Sequence, residues 1–186
     1  MLSKKNGGLK MIIKARPEDK ERVCELGLMA SSCLYGDALK SADLNVQKDL
    51  LMKYYDMPMT KASREFTIVY LHEGKVVGCL VYYDGALEKE LIANMEKVLD
   101  NDYKFSIEAL DNTIYLDSIA VDANYRGLGI ASKLINYAIE RSDKDLSLLV
   151  ETYKEDVRNY YERLGFKVVK RVEMFNSELD AMLYKK

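Results

Sequence analysis

Two glycines separated by one residue indicate a site for an anion. Gly127 and Gly129 lie in the segment YRGLGIA, which follows an apolar strand pattern and precedes a helical one. Glycine lets the backbone turn tightly and approach a ligand closely, because no Cβ intervenes. The unpaired N–H groups at the helix start then converge on an anion, and the helix dipole adds to the attraction. The turn therefore predicts a phosphate or pyrophosphate site, with a strand-to-helix turn that binds nothing as the alternative.

Two other phosphate-binding motifs do not match this segment. The chain has no Gly-x4-Gly-Lys-Ser/Thr loop, which disfavours a P-loop nucleotide enzyme. The Rossmann spacing Gly-x-Gly-x-x-Gly also fails, because Ser132 stands where the third glycine is needed. The turn comes late in the chain instead of after the first strand.

The composition narrows the class of protein. The 186 residues are 48% hydrophobic and 31% charged, which is typical of a folded domain and not of a disordered chain. There are 28 basic and 30 acidic residues, and the net charge of −2 disfavours a nucleic-acid partner. No apolar run is long enough to span a membrane. We expect a chain that binds neither nucleic acid nor a membrane.

The cysteines and the first residues indicate the compartment. Cys24, Cys33 and Cys79 are too scattered for a disulfide framework, and with one histidine they make a poor zinc site, so we expect no metal. Free thiols are typical of a reducing cytoplasm. Residues 1–10 are basic and lack the apolar stretch of a signal peptide. We expect a polar N-terminal tail at 1–10 on a cytoplasmic protein.

Hydrophobic periodicity predicts the elements that must position the glycine turn. A short strand at 11–15 precedes a helix that begins at Pro17, whose fixed φ suits a first turn. A second helix is capped by Ser41 or Asp43 and ends at Pro58. The apolar residues expected on the buried sides are Val23, Leu26 and Met29 in the first helix and Val46, Leu50, Leu51 and Tyr54 in the second.

The remaining segments alternate between strand and helix. In chain order we predict a hairpin at 66–71 and 75–83, a strand at 113–121, a helix at 127–141, a strand at 146–152, a helix at 156–164, and strands at 166–172 and 181–184. This order implies a mixed, partly parallel central sheet flanked by helices, an α/β fold. We expect a single domain at 11–186 with a helical insertion at about 84–112.

Two segments around the turn resemble the signatures of a known family. IYLDSIAVDANYRGLGIA, at residues 114–131, resembles the acetyl-CoA signature of the GNAT superfamily of N-acetyltransferases. YYERLGF, at residues 160–166, resembles that family's second signature, a helix that ends in Tyr-x-x-x-Gly-Phe. The specific match covers residues 113–166. The resemblance implies a GNAT-like acyl-CoA N-acyltransferase fold and an N-acetyltransferase with acetyl-CoA as its cosubstrate.

The resemblance also implies where CoA binds. In this family the pyrophosphate lies on the amides at the helix start, and the pantetheine arm lies in a gap between the fourth and fifth strands. A bulge in the fourth strand commonly directs an N–H group at the thioester carbonyl, which stabilises the oxyanion. The cofactor-binding residues implied in this way are Ile119, Ala120 and Val121 in the strand and Arg126, Gly127, Leu128, Gly129, Ile130, Ala131 and Ser132 in the turn.

Acetyl transfer to an amine requires a base and an acid. The amine must lose a proton, since a lysine-type amine has a pKa of about 10.4 and an α-amine of about 8. The departing thiolate must gain one. Tyr161 matches the family's tyrosine and is the implied general acid, because a phenol keeps its proton at neutral pH. A tyrosine that only packs at the helix end is the alternative.

Candidates for the base come from the strands. Family members often use a glutamate in the fourth strand or a water chain, but the matching position here is Tyr115. Asp117 follows two residues later on the same face of an alternating strand, so it can serve as base or as counter-ion of the amine. Glu151 on the fifth strand is the second candidate. For both, an ordinary carboxylate with a local partner is the alternative.

Three further residues bear on the mechanism. Lys154 stands where the family often has an asparagine, seven residues before the tyrosine. Cys79 lies in an apolar strand without a nearby histidine, which disfavours a covalent acyl-cysteine step. His72 falls in a hairpin turn, where we expect it to be exposed and inert. Direct transfer in a ternary complex is therefore favoured.

The acceptor is less defined by the sequence. The resemblance implies that segments 31–61 and 84–112 form the walls of its site, and Glu108, Asp111 and Asp117 can attract a cationic amine. A small-molecule amine is favoured over a protein. A non-catalytic acyl-CoA-binding sensor and an acyltransferase for longer chains are the alternatives. Residues 166–186 can pair across a homodimer, although nothing in the sequence requires it.

Overall fold

The structure describes residues 10–174 and 176–186, without the side chains of residues 10 and 31–34. This part of the chain contains a seven-stranded sheet. In this computed structural model the strands are β1 (Lys10–Lys14), β2 (Thr67–His72), β3 (Lys75–Asp84), β4 (Ile114–Val121), β5 (Leu146–Glu151), β6 (Lys167–Met174) and β7 (Ser177–Tyr184). Their order is β1-β2-β3-β4-β5-β7-β6. Of the tail predicted at 1–10, residues 1–9 lie outside the described part of the chain.

Five α-helices in the same described ranges cover the sheet. They are α1 (Lys20–Leu39), α2 (Leu44–Asp56), α3 (Glu88–Glu96), α4 (Ile130–Arg141) and α5 (Glu155–Arg163). Pro17 begins a short 3-10 turn directly before α1. The Asp43 carboxylate caps α2 by accepting a hydrogen bond from the Asn45 N–H at 2.8 Å, which confirms one of the two predicted caps. After α5, Gly165 adopts a φ of 99° and ends the helix, as the sequence predicts.

The β2–β3 hairpin follows from its turn residues. His72 pairs with Lys75, so Glu73 and Gly74 form a two-residue loop. Both have positive φ, 51° and 79°, which matches a type I′ turn with glycine at its second position. The predicted hairpin is confirmed, with strand bounds that differ by about one residue.

Apolar side chains form a core on each face of the sheet. In β2, Val69 and Leu71 join the cluster under α1 and α2, whereas Ile68 and Tyr70 join the cluster under α4. This alternation is the period of two that a strand buried on both faces requires. The apolar residues on the inner side of α4 are all buried in the second cluster: Leu134, Ile135, Ala138 and Ile139.

Two helix residues predicted to be buried are exposed. Met29 is 57% exposed and Val46 is 43% exposed. The buried stripe of α2 runs through Gln47 instead of Val46. The first residue of the predicted stripe was therefore wrong by one position. Met29 lies at the edge of the α1 stripe and borders a groove described below. The other predicted positions are buried: Val23, Leu26, Leu50, Leu51 and Tyr54.

The segment between β3 and β4 is partly helical. Helix α3 buries Leu91, Ile92 and Met95 against the rest of the protein, and residues 97–113 continue without a regular element. The apolar stripe of this segment therefore packs into the core. That the segment is an insertion stays a prediction. Among the described residues, none of the five helices combines the length and the apolar character of a membrane-spanning helix.

β4 and β5 form the parallel part of the sheet, joined through α4. They pair only at Ile114 with Leu146 and at Tyr115 with Ser147. β4 then continues to Val121 without pairing with β5, while β5 stays paired with β7 on its other side. The two strands therefore diverge beyond Tyr115. All other neighbouring strands are antiparallel. The predicted mixed, partly parallel α/β sheet is confirmed.

Candidate active site

The glycine turn connects the end of β4 to α4. Gly127 and Gly129 have φ values of 76° and 69°, in the left-handed region where a residue with a Cβ is strained. A Cβ on either glycine would meet no atom within 4 Å. The backbone conformation therefore favours glycine at both positions, and the space beside the turn is open.

The backbone amides of this turn are available to a ligand. Helical hydrogen bonding in α4 begins with the Lys133 N–H, which donates to the Gly129 carbonyl at 3.1 Å. Within the described ranges, no backbone N–H from Gly127 to Ser132 donates to another residue. Such amides at a helix N-terminus bind anions. The arrangement fits the pyrophosphate that the sequence analysis expects here.

A pocket adjoins this turn. Its lining combines the turn with a tyrosine from α5: Val121, Tyr125, Arg126, Gly127, Gly129, Ile130, Ala131, Ser132 and Tyr160. The Tyr160 hydroxyl lies 3.0 Å from Ser132 Oγ, so α5 is joined to the start of α4. Tyr160 is a site residue that no pattern in the sequence indicates.

A second pocket follows the diverging end of β4. It is lined by Met29 and Ala30 of α1, by Ile119, Ala120 and Val121 of β4, and by Arg126 and Ala131. The two pockets share Val121, Arg126 and Ala131, so they form one groove from the glycine turn to β4. Nine of the ten predicted cofactor-binding residues line this groove. The tenth, Leu128, is 54% exposed and is absent from its lining.

β4 contains a bulge at Asp117. Val81 of β3 pairs with Ser118, whereas the next residue, Tyr82, pairs with Leu116, so Asp117 has no partner on β3. A bulge turns neighbouring side chains away from strict alternation. Asp117 and Ser118 accordingly both line a cavity between the sheet and the first two helices. The bulge that the family resemblance implies is present in β4.

That cavity, which we call the α1–α2 cavity, is mainly apolar. Its lining includes Val23 and Gly27 of α1, Leu51 of α2 and Cys79 of β3, and its one carboxylate is that of Asp117. The cavity shares Ala30 and Ala120 with the groove. The groove and the cavity therefore meet at Ala120, three residues after the bulge.

Asp117 also belongs to a buried ionic network around Lys61. Lys61 Nζ lies 3.3 Å from Asp117 Oδ1 and 3.3 Å from Glu88 Oε1, and it forms a hydrogen bond to Glu108 Oε1. Lys61 is 4% exposed and Glu88 is 1% exposed. These four residues, which we call the Lys61 network, come from four separate segments of the chain.

Two tyrosines complete the hydrogen bonding of the network. The Tyr83 hydroxyl lies 3.0 Å from Glu88 Oε1 and 3.2 Å from Asp117 Oδ1. The Tyr115 hydroxyl donates to Glu108 Oε2 at 2.9 Å. Burial, with the nearby carboxylates, raises the pKa of both tyrosines, so both keep their protons.

The network shifts the pKa of Asp117 and of Lys61. Burial raises the pKa of Asp117 to about 6, Lys61 acts to lower it, and Glu108 acts to raise it. Burial alone would lower the pKa of Lys61, but Asp117, Glu108 and Glu88 raise it above its ordinary value. Lys61 is therefore cationic at physiological pH, and the pKa of Asp117 lies above the ordinary value of an aspartate.

Tyr161 lies beside the groove on α5. Its ring packs against Phe166 with centroids 5.7 Å apart, and against the groove residue Tyr160 at 5.3 Å. Burial raises the pKa of Tyr161, so the phenol is protonated. In the described ranges its hydroxyl makes no hydrogen bond to another residue. The protonation state suits a general acid, and that role stays a prediction.

The other predicted carboxylates lie in different surroundings. Glu151 pairs with Lys154 at 2.9 Å, so this second candidate base has a local partner. Glu108 belongs to the Lys61 network, whereas Asp111 is exposed on the loop before β4. The structure therefore joins Glu108 and Asp117 and leaves Asp111 and Glu151 apart from them.

Cys79 and His72 have no arrangement for nucleophilic chemistry. Cys79 is buried, and burial raises the pKa of its thiol to about 12, which keeps it neutral. His72 is half-buried and not exposed as predicted, because its ring packs against that of Tyr125 with centroids 5.2 Å apart.

The comparisons with known proteins agree with this geometry. Residues 37–166 match the Acetyltransferase (GNAT) family. An N-acetyltransferase from Staphylococcus aureus Mu50 is 26% identical, with a TM-score of 0.82 over 93% of this chain and 99% of that one. A further acetyltransferase structure is 27% identical, with a TM-score of 0.77 over 94% and 98% of the two chains.

A more distant structure shares the fold. Arabidopsis thaliana Naa50, in complex with the bisubstrate analogue CoA-Ac-MVNAL, is 17% identical, with a TM-score of 0.57 over 95% of this chain and 99% of that one. The family match spans well over half of the chain and contains both the glycine turn and the bulge. This chain therefore belongs to the GNAT acetyltransferase family, whose members use acetyl-CoA, and it is an acyltransferase.

Proposed function

We propose that this protein transfers an acetyl group from acetyl-CoA to the primary amine of a small molecule, directly and in a ternary complex. The observation that carries the proposal is the bulge at Asp117. Its carboxylate lines a mainly apolar cavity, and that cavity shares Ala30 and Ala120 with an open groove that has amide donors. The groove suits the cosubstrate, and the cavity suits the amine.

In this proposal the groove holds CoA through backbone groups. The free amides from Gly127 to Ser132 bind the pyrophosphate, as anions bind at helix starts. The backbone of Ile119, Ala120 and Val121 pairs with the pantetheine arm, because β4 has no neighbouring strand on that side. The thioester supplies an activated acetyl group next to the bulge.

Two side chains move protons in the proposed reaction. Asp117 accepts a proton from the substrate ammonium, which frees the nitrogen to bond to the thioester carbonyl carbon. As the carbon–sulfur bond breaks, Tyr161 donates its proton to the departing thiolate and regains one from the nitrogen. The products are the amide, CoA as a thiol and one proton on Asp117, which it returns to water.

The α1–α2 cavity supports a compact acceptor. It is enclosed between two helices and the sheet, which favours a small molecule over a folded protein surface. With a volume of about 30 Å³ the cavity admits little more than an amine head beside the Asp117 carboxylate, so the body of the acceptor lies outside it.

The first test is a calorimetric titration with acetyl-CoA, with free CoA and ATP as controls. We expect micromolar binding of both CoA species and none of ATP. A thiol-release assay then compares a compact apolar monoamine such as phenethylamine with spermidine and with a peptide N-terminus. Faster turnover of the monoamine supports the proposal.

Other results of these assays contradict it. Faster turnover of the peptide contradicts the small-molecule acceptor. Binding of acetyl-CoA without turnover of any amine favours the non-catalytic acyl-CoA-binding sensor. If acetyl-CoA does not bind, the glycine turn has a structural role only.

A further inference from the structure

The Lys61 network contains three carboxylates and one lysine. Lys61, Glu88, Glu108 and Asp117 are 4%, 1%, 13% and 19% exposed. One ammonium cannot neutralise three carboxylates, and buried like charges disfavour each other's ionisation. The protonation of the most exposed carboxylate, Asp117, therefore depends on the other members.

The three carboxylates are held to different degrees. Glu88 is held tightly, because its Oε2 accepts the N–H groups of Glu108 and Ala109 at 3.0 and 2.9 Å. Glu108 accepts hydrogen bonds from Lys61 and Tyr115. The contacts of Asp117 to Lys61 and to Tyr83 are longer, 3.3 and 3.2 Å. Asp117 is thus the loosely held end of the network, and it is the member that faces the cavity.

We propose that Lys61 is a positioning residue that keeps Asp117 ionised for the substrate amine, and that Glu108 acts in the opposite direction. Lys61 does not line the α1–α2 cavity, so it acts through Asp117. The proposal rests on the proposed function, in which Asp117 is the base.

Titratable groups from several elements are packed around Asp117. The titratable groups that face it are Tyr35 of α1, Lys61 between α2 and β2, Tyr83 of β3, Glu88 of α3, Glu108 of the 97–113 loop and Tyr115 of β4. Burial raises the pKa of all three tyrosines, so they are neutral at physiological pH. Lys61, Glu88 and Glu108 supply the charges.

The test uses two variants that must shift Asp117 in opposite directions. Lys61→Met removes the cation and raises the pKa of Asp117, whereas Glu108→Gln removes an anion and lowers it. Lys144→Met is the matched control, because Lys144 pairs with Asp84 at 2.6 Å outside the network. We expect shifts of about one pKa unit or more in the two network variants and none in the control.

The pKa is measured by carbon-13 NMR of the aspartate carboxyl groups, with Asp117→Asn identifying the resonance. This measurement is independent of activity. Shifts of the Asp117 pKa in opposite directions in Lys61→Met and Glu108→Gln support the proposal. An unchanged pKa, or shifts in the same direction in both variants, overturn it. If Lys61→Met does not fold, because its carboxylates lose their cation, Glu108→Gln decides alone.

A pH profile of kcat/KM distinguishes this inference from the proposed function. If Asp117 is the base, the pH at which kcat/KM falls on the acid side shifts in each variant by the same amount as the Asp117 pKa measured by NMR. If the Asp117 pKa measured by NMR shifts and the acid side of the kcat/KM profile does not, Asp117 is not the base. The control of its ionisation by Lys61 then still holds, and the proposed function fails in that step.

Discussion

At the scale of single residues, Asp117 has the properties of a base that works near neutral pH. Burial raises its pKa to about 6, so it is largely protonated below that pH and ionised above it. Because only the carboxylate accepts a proton, kcat/KM should rise with pH through about 6 and then level off. Asp117→Asn should lower kcat by about 10²- to 10⁴-fold and remove this limb. Asp111→Asn, at an exposed carboxylate, is the control, and a limb that survives in Asp117→Asn would identify another group as the base.

Adjacent tyrosines on α5 should separate chemistry from binding. Tyr161→Phe removes the proposed acid and should slow the chemical step by about 10²-fold or more, with little change in acetyl-CoA affinity. Tyr160→Phe removes the hydrogen bond to Ser132 beside the glycine turn and should weaken acetyl-CoA binding instead. Single-turnover kinetics and calorimetry measure the two effects. If Tyr161→Phe turns over at the wild-type rate, Tyr161 is not the acid.

At the scale of elements, the glycine turn has a matched control within the chain. Gly129 and Gly74 have similar φ values, 69° and 79°, and neither would place a Cβ within 4 Å of another atom. Glutamate at either position therefore has a similar backbone cost, about 1–2 kcal/mol. Only Gly129→Glu adds a negative charge beside the predicted pyrophosphate site, so it should weaken acetyl-CoA binding at least 100-fold.

Calorimetry and thermal melts of Gly129→Glu and Gly74→Glu test this prediction together. Similar losses of Tm with a selective loss of binding in Gly129→Glu support the turn as the anion site. Equal loss of binding in both variants would mean that strain, and not the position of the charge, weakens the site.

The sequence predicts elements better than it predicts the contacts between them. The hairpin, α4 and α5 are encoded locally, by turn residues, apolar period and the glycine after α5. The bulge at Asp117 has no local signal, because it depends on how β4 aligns with β3. Lys61 and Glu108 are likewise 47 residues apart and meet only in the folded protein. Sequence patterns therefore indicate the groove but not the network.

At the scale of the whole molecule, the sheet is continuous except where β4 and β5 separate. Beyond Tyr115 the two strands make no ladder within the described ranges, and the groove lies along the free side of β4. The α1–α2 cavity lies on the other side of the bulge, between the sheet and the helices. The proposed transfer requires that a ligand in the groove reach Asp117, which faces the cavity.

This arrangement predicts which amides a ligand protects from hydrogen exchange. At 100 times its Kd, acetyl-CoA should stabilise the protein by about 2.7 kcal/mol. That corresponds to a rise in Tm of roughly 5–11 °C for a chain of this size. Exchange measured by mass spectrometry should slow in peptides that cover residues 116–121 and 127–132, and it should not change in the β2–β3 hairpin turn.

The pattern of protection tests the site, whereas the rise in Tm alone does not. A ligand that bound elsewhere would also stabilise the fold, because any binding to the native state raises Tm. Protection at 116–121 requires that the ligand occupy the side of β4 where β5 has diverged. Protection at the glycine turn without protection of β4 would mean that the turn binds the anion while the pantetheine arm lies elsewhere. Asp117 would then lie far from the thioester, and the proposed transfer step would not be possible.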